Sequence, residues 1–161
     1  MFYRSNPYFC RNISISMKEN NPSLPHSPSP EDVNTANSHT LMGTLGITFT
    51  HLSPGRIEAE MAVEKRSCQP FGLLHGGATL ALAESVAGQG SMMLCGKDEV
   101  AAGVQVSCNH VSSAREGDSV HAVGTLLHQG RSSHIWNVDI YTSAHKLVST
   151  VRVTNSILTR R

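Results

Sequence analysis

Gln69-Pro-Phe-Gly-Leu-Leu-His-Gly-Gly77 runs directly into Ala78-Thr-Leu-Ala-Leu-Ala-Glu84-Ser-Val86. This passage from a glycine-rich turn into an apolar run decides the fold. The run from Gly77 to about Leu94 is the only long helical candidate in the chain. Its Ala, Leu and Val residues cover most of the helix surface, which predicts burial nearly all round. Ala78, Ala81, Ala83, Ala87 and Gly88 let another backbone approach closely. A helix start offers free N–H donors and positive potential, and a carboxylate inside can act as base or nucleophile.

Around that helix the chain reads as strands. Gly46–Leu52 and Arg56–Val63 flank the turn signal Pro54-Gly55 and form a hairpin. Before them, Asn34–Leu41 reads as a short helix. After the long helix come Val100–Val111, Ser119–His128, Ser132–Tyr141 and Lys146–Leu158. They are broken at Glu116-Gly-Asp118, Gln129-Gly-Arg131 and Ser143-Ala-His145, spacings that suit an antiparallel meander. The order is β-β-α-β-β-β-β, an α+β chain. One antiparallel sheet wrapped around the helix is the simplest way to bury it.

Residues 1–35 stand apart. They are rich in Asn, Ser and Pro, and Pro22–Pro30 reads as an extended, disordered linker. The expectation is a disordered extension over 1–35 and one domain over 36–161, with 1–16 an upstream addition before Met17. No acid precedes Glu19, a weak likeness to a transit peptide, and the apolar core of a secretory signal is missing. Asn12-Ile-Ser14 matches a glycosylation sequon, read as chance.

Bulk properties narrow the function. Net charge is +1 among 161 residues, with no basic run, which argues against a nucleic-acid groove. No apolar stretch approaches the roughly 18–20 residues of a membrane span. Cys10, Cys68, Cys95 and Cys108 are scattered without a CxxC pair, read as small buried or half-buried hydrophobes in a reducing cytoplasm. The His residues lack metal-ligand spacing, so no metal and no cofactor is expected.

The segment Gln69–Glu84 resembles the hotdog-fold acyl-CoA thioesterases, of the type that includes menaquinone-pathway 1,4-dihydroxy-2-naphthoyl-CoA hydrolase and the enterobactin-pathway proofreading thioesterase. The likeness continues through Leu45-Gly-Ile, Glu58-Ala-Glu-Met, Asn109-His110, Glu116-Gly117 and His128-Gln-Gly-Arg131. It spans roughly residues 40–158. The resemblance implies a hotdog fold and an acyl-CoA substrate. It makes Glu84 the catalytic carboxylate, places Gln69 and His75 near the thioester, and gives the Gly76 N–H as donor to its carbonyl. It puts His110 on the acyl side and Arg131 near the coenzyme A nucleotide. Gly88 departs from the pattern, standing where relatives often have a hydroxyl residue. Val111 stands where some have a second His. Both departures bear on the acyl group accepted.

Each residue also has a plainer reading. Glu84 can pair a buried Arg, His75 can cap the turn, Gln69 can be a loop residue, His110 a half-buried strand residue, and Arg131 a solvated turn residue. Ser85 lacks the Gly-x-Ser-x-Gly elbow of a nucleophile. Trp136 reads as sheet packing.

Thioester hydrolysis needs an activated water or a nucleophile, and a donor for the developing oxyanion worth on the order of 3 kcal/mol. The nine residues from His75 to Glu84 span roughly 13 Å of helix and about half a turn of net rotation. One carbonyl then does not reach both within one subunit. A two-fold dimer, with Glu84 from one chain and the Gly76 donor from the other, joins them. The resemblance implies the same dimer, often paired into a homotetramer. The rival activities are a hotdog enoyl-CoA hydratase, which the missing Asp-x-x-x-x-His argues against, and a silent acyl-CoA-binding protein, which Glu84 argues against.

Overall fold

The computed structural model describes residues 28–160. Cys10, the sequon and most of the expected N-terminal extension lie outside the described residues. The first described element is helix α1 (Pro30–Asn37), which starts four residues earlier than the short helix read from sequence. The reason is local: Ser29 caps the helix by accepting from the Asp32 N–H at 3.2 Å, the Asp32 carboxylate accepts from the Ser29 N–H, and Pro30 opens the first turn. Residues 30–35, assigned to the extension, are therefore helical. Asn34 ties α1 to the body, exchanging two hydrogen bonds with the backbone of Phe49. A short helix α2 (Leu41–Leu45) follows, closed by Gly46 at φ 73°.

The strands are β1 (Thr48–Ser53), β2 (Arg56–Ala62), β3 (Glu99–His110), β4 (Ser119–Gln129), β5 (Ser133–Thr142) and β6 (Leu147–Thr159). Helix α3 (Gly76–Leu94) lies between β2 and β3 in sequence. All six strands join one antiparallel sheet in the order β1-β2-β4-β5-β6-β3. The element order is as expected, and α3 packs against every strand. The meander is not: of the four strands after α3, only β4, β5 and β6 sit side by side in chain order. β3 crosses to the far edge and pairs with β6, because β4 is already held between β2 and β5. A bulge interrupts β3 between Gly103 and Gln105.

Burial of α3 also differs from expectation. Ala78, Thr79, Leu82, Ala83, Val86, Ala87, Gly90 and Ser91 form a buried stripe at helical spacing, whereas Ala81, Ser85, Gly88 and Gln89 are half-buried and Glu84 is exposed. One sheet covers one side of a helix, so the apolar residues of the other side remain without a cover in a single chain. On the covered side Trp136 is fully buried, as its sheet-packing reading predicts. Gly90 admits it, since a Cβ there would run into the indole, and Gly124 in turn makes room for Val86. Cys68, Cys95 and Cys108 are half-buried and unpaired.

Candidate active site

The first turn of α3 leaves one donor unclaimed. His75 is the N-cap, and its Nδ1 accepts from the Gly77 N–H at 2.8 Å. The His75 carbonyl takes the N–H groups of Ala78 and Thr79, at 3.0 and 3.2 Å. Among the described residues the Gly76 N–H has no partner. The capping reading of His75 is thus correct, and it has a consequence at the site. By occupying the neighbouring donors, the cap leaves Gly76 alone to face a ligand, with the helix dipole behind it.

His110, at the end of β3, lies directly over that point. A Cβ on Gly76 would sit 2.7 Å from His110 Nε2, so only glycine leaves the approach open. The ring is held from behind by Ser149 Oγ, 2.8 Å from Nδ1. Gln69 reaches the same place from the preceding turn, which is closed by its N–H to the Leu73 carbonyl at 2.8 Å. Gln69, Gly76, Thr79, His110 and Ser112 line a cleft of about 210 Å³. A second hollow of about 300 Å³, lined by Leu41, Leu45, Arg66, His75 and Ala81, opens on the other side of the helix start. Cys108 Sγ is 3.6 Å from His110 Nδ1. Burial pushes its thiol pKa up, opposed by Ser149, so it stays protonated near neutral pH and is no rival nucleophile.

Glu84 lies elsewhere. Its carboxylate rests on Gly103 of β3, where a Cβ would meet Oε1 at 2.5 Å. Gly103 and His110 are seven residues apart on one strand, six register steps once the bulge is taken out, or about 20 Å. Within one chain, then, the structure brings together Gln69, Gly76 and His110, turns the His75 ring to the second hollow as the helix cap, and separates all of them from Glu84. Gly88 follows Glu84 by one turn, with nothing within 4 Å of a Cβ placed there. Arg131 is exposed in the β4–β5 turn. That turn lies at the sheet end where His134 pairs with Asn155, and Asn155 with Gly103. It therefore belongs to the Glu84 end.

Three residues escaped the sequence reading. Strict alternation along β6 turns Ser149, Val151, Val153 and Asn155 inward, so two polar residues at inward positions were the available signal for Ser149 and Asn155. Gly103, a lone glycine inside a strand, marked a close approach. Asn155 is 1 % exposed and donates from Nδ2 to the Ala87 carbonyl at 3.0 Å and to Ser91 Oγ at 2.8 Å, while Trp136 Nε1 donates to the same hydroxyl at 2.9 Å. Asn155 Oδ1 is buried without a partner among the described residues, a condition that costs about 1–3 kcal/mol.

The family model of the Thioesterase superfamily matches residues 71–149. The chain is 37% identical over 128 residues to the 1,4-dihydroxy-2-naphthoyl-CoA hydrolase of Escherichia coli K12, covering 80% of this chain and 93% of the relative. It is 33% identical over 126 residues to the proofreading thioesterase EntH of Klebsiella pneumoniae, covering 78% and 91%. Among solved structures, a Haemophilus influenzae thioesterase superposes with a TM-score of 0.79 at 32% identity, covering 83% of this chain and 93% of that one. A Pseudomonas aeruginosa thioesterase reaches 0.80 at 30%, covering 83% and 96%. With one long helix against a six-stranded antiparallel sheet and these relatives along its length, the chain belongs to the thioesterase superfamily and is a hotdog-fold thioester hydrolase.

Proposed function

We propose that the protein hydrolyses the thioester of an aromatic or medium acyl-CoA to free acid and CoA, with 1,4-dihydroxy-2-naphthoyl-CoA the leading specific substrate. The observation that carries this is the single unclaimed Gly76 N–H, open to the cleft beside Gln69 and His110. That is the donor a thioester carbonyl needs as its oxygen gains charge. Glu84 supplies the nucleophile or the base.

The site is completed by a second copy. β3 is an edge strand, and the uncovered side of α3 carries Glu84. Antiparallel pairing of β3 with its copy, centred between Gly103 and His110, sets Glu84 of the partner subunit beside the Gly76 donor. Two such dimers make the homotetramer. Arg131 contacts the nucleotide of CoA, Gly88 leaves room beside the acyl group, and the three unpaired cysteines fit a cytoplasmic location.

The test is thiol release from a panel of acyl-CoAs, with and without Glu84→Ala. The expected result is release that falls about 100-fold or more in the variant. Silence across the panel would overturn the reading, release undiminished by the substitution would remove Glu84 from the mechanism, and water addition to an enoyl-CoA without thiol would make the protein a hydratase.

A further inference from the structure

Glu84 Oε1 and Asn155 Oδ1 approach the same point in space. A Cβ on Gly103 would sit 2.5 Å from the first and 3.7 Å from the second, which caps the separation of the two oxygens at about 6 Å. Gly103 and Asn155 are direct cross-strand partners, and the glycine's missing side chain is what lets the Glu84 carboxylate come up beside Asn155. The orientation of the Asn155 amide is fixed by chemistry. Its Nδ2 faces the Ala87 carbonyl, which can only accept, so the oxygen is the atom left over. Both free groups are therefore acceptors. Two acceptors do not bond each other, and a molecule that donates twice can join them.

We propose that Asn155 is a further catalytic residue: its Oδ1 and the Glu84 carboxylate together hold the hydrolytic water, and Glu84 acts on it as general base. This deepens the thioesterase reading and rests on it. The water donates one hydrogen to Asn155 Oδ1 and the other to Glu84, which turns an oxygen lone pair toward the thioester carbon. As the new C–O bond forms, the proton passes to Glu84 and the carbonyl electrons move to the oxygen at the Gly76 N–H. On collapse the C–S bond breaks and the leaving sulfur takes the proton from Glu84. Product acid and thiol form with no net change in the protein. A neutral amide is suited to this, since it orients the water without competing for its proton.

The experiment compares Asn155→Ala and Asn155→Val with Ser91→Ala in the full chain. Ser91→Ala removes the shared hydroxyl from the buried network and leaves Asn155 Oδ1 in place. Expected is a fall in kcat of about 10- to 100-fold in both Asn155 variants, with KM within about threefold, and a fall of under about threefold in Ser91→Ala. Equal losses in all three would make Asn155 a packing residue and overturn the proposal, as would kcat within twofold of the unmodified protein in either folded Asn155 variant. Asn155→Asp places a second carboxylate beside Glu84 and should move the acid limb of kcat/KM upward by about one pH unit; an unmoved limb would show the two groups do not meet. A single turnover in ¹⁸O-water should label the product acid and leave the Glu84 peptide unlabelled, whereas label in that peptide would make Glu84 the nucleophile. If the unmodified protein releases no thiol, the failure is that of the thioesterase reading, which the same assay exposes first.

Discussion

A glycine in a strand is ordinarily a weakness, since it adds backbone entropy and packs nothing. Gly103 is used otherwise, because it is the surface on which the Glu84 carboxylate lies. Gly103→Ala should push that carboxylate off the strand. The contact is with the end of a flexible side chain, so stability should change by less than about 1 kcal/mol while kcat falls, a split that thermal melts and thiol release would reveal together. His134, two strands further over on β5, makes a different prediction. It is 3 % exposed, and its Nδ1 has no partner among the described residues. Burial holds its pKa below the ordinary value of 6.5, with Glu99 opposing and His128 assisting. The folded protein thus binds fewer protons than the unfolded chain as pH falls. The stability His134 contributes is complete above pH 6.5 and drains away below it. Melting temperature should drop between pH 7.5 and 5.5, and drop less in His134→Phe.

The two glycines of α3 show how one element divides its labour. Gly88 faces open space, while Gly90 is pressed against Trp136 and Ile57. Gly88→Ala should stabilise by about 0.5–1 kcal/mol through helix propensity. Gly90→Ala should destabilise by about 1–3 kcal/mol through overpacking, and chemical denaturation would separate the two signs. Elements were also what the sequence conveyed best. The period of α3 and the turn signals at Pro54-Gly55 and Gln129-Gly-Arg131 placed every strand within two residues of its observed ends. The choice of neighbours was not legible. Nothing local in Val100–Val111 says that it will pair with β6 rather than with the strand that follows it. That is decided when β2 and β5 occupy both edges of β4. The candidate site divided the same way. Gln69, His75, Gly76 and Glu84 sit in a contiguous segment whose spacing carries information. Ser149, Gly103 and Asn155 matter only through contacts made across the sheet, far from that segment in the chain.

At the scale of the molecule, the uncovered side of α3 and the free edge of β3 belong to one surface, and it is the surface that holds Glu84. Exposed Val104 lies on that edge. Val104→Lys would place a charged side chain on the pairing edge of each strand, and should convert the proposed dimer to monomer in sedimentation. If the sites are shared, thiol release should fall in step with the dimer fraction. Retained activity in a monomer would place both halves of the chemistry in one chain.

The bulge in β3 gives that surface an arithmetic. Side chains alternate along a strand, so residues seven apart, like Gly103 and His110, should look in opposite directions. The extra residue between Gly103 and Gln105 changes an odd interval into an even one, and both ends come to face α3. Parity, rather than any side chain at the bulge itself, puts Glu84's resting place and His110 on the same side of the sheet. Val104 therefore carries a significance that its exposed, chemically plain side chain does not advertise: deleting it would keep every proposed site residue in the chain and still turn the two ends of the strand away from each other.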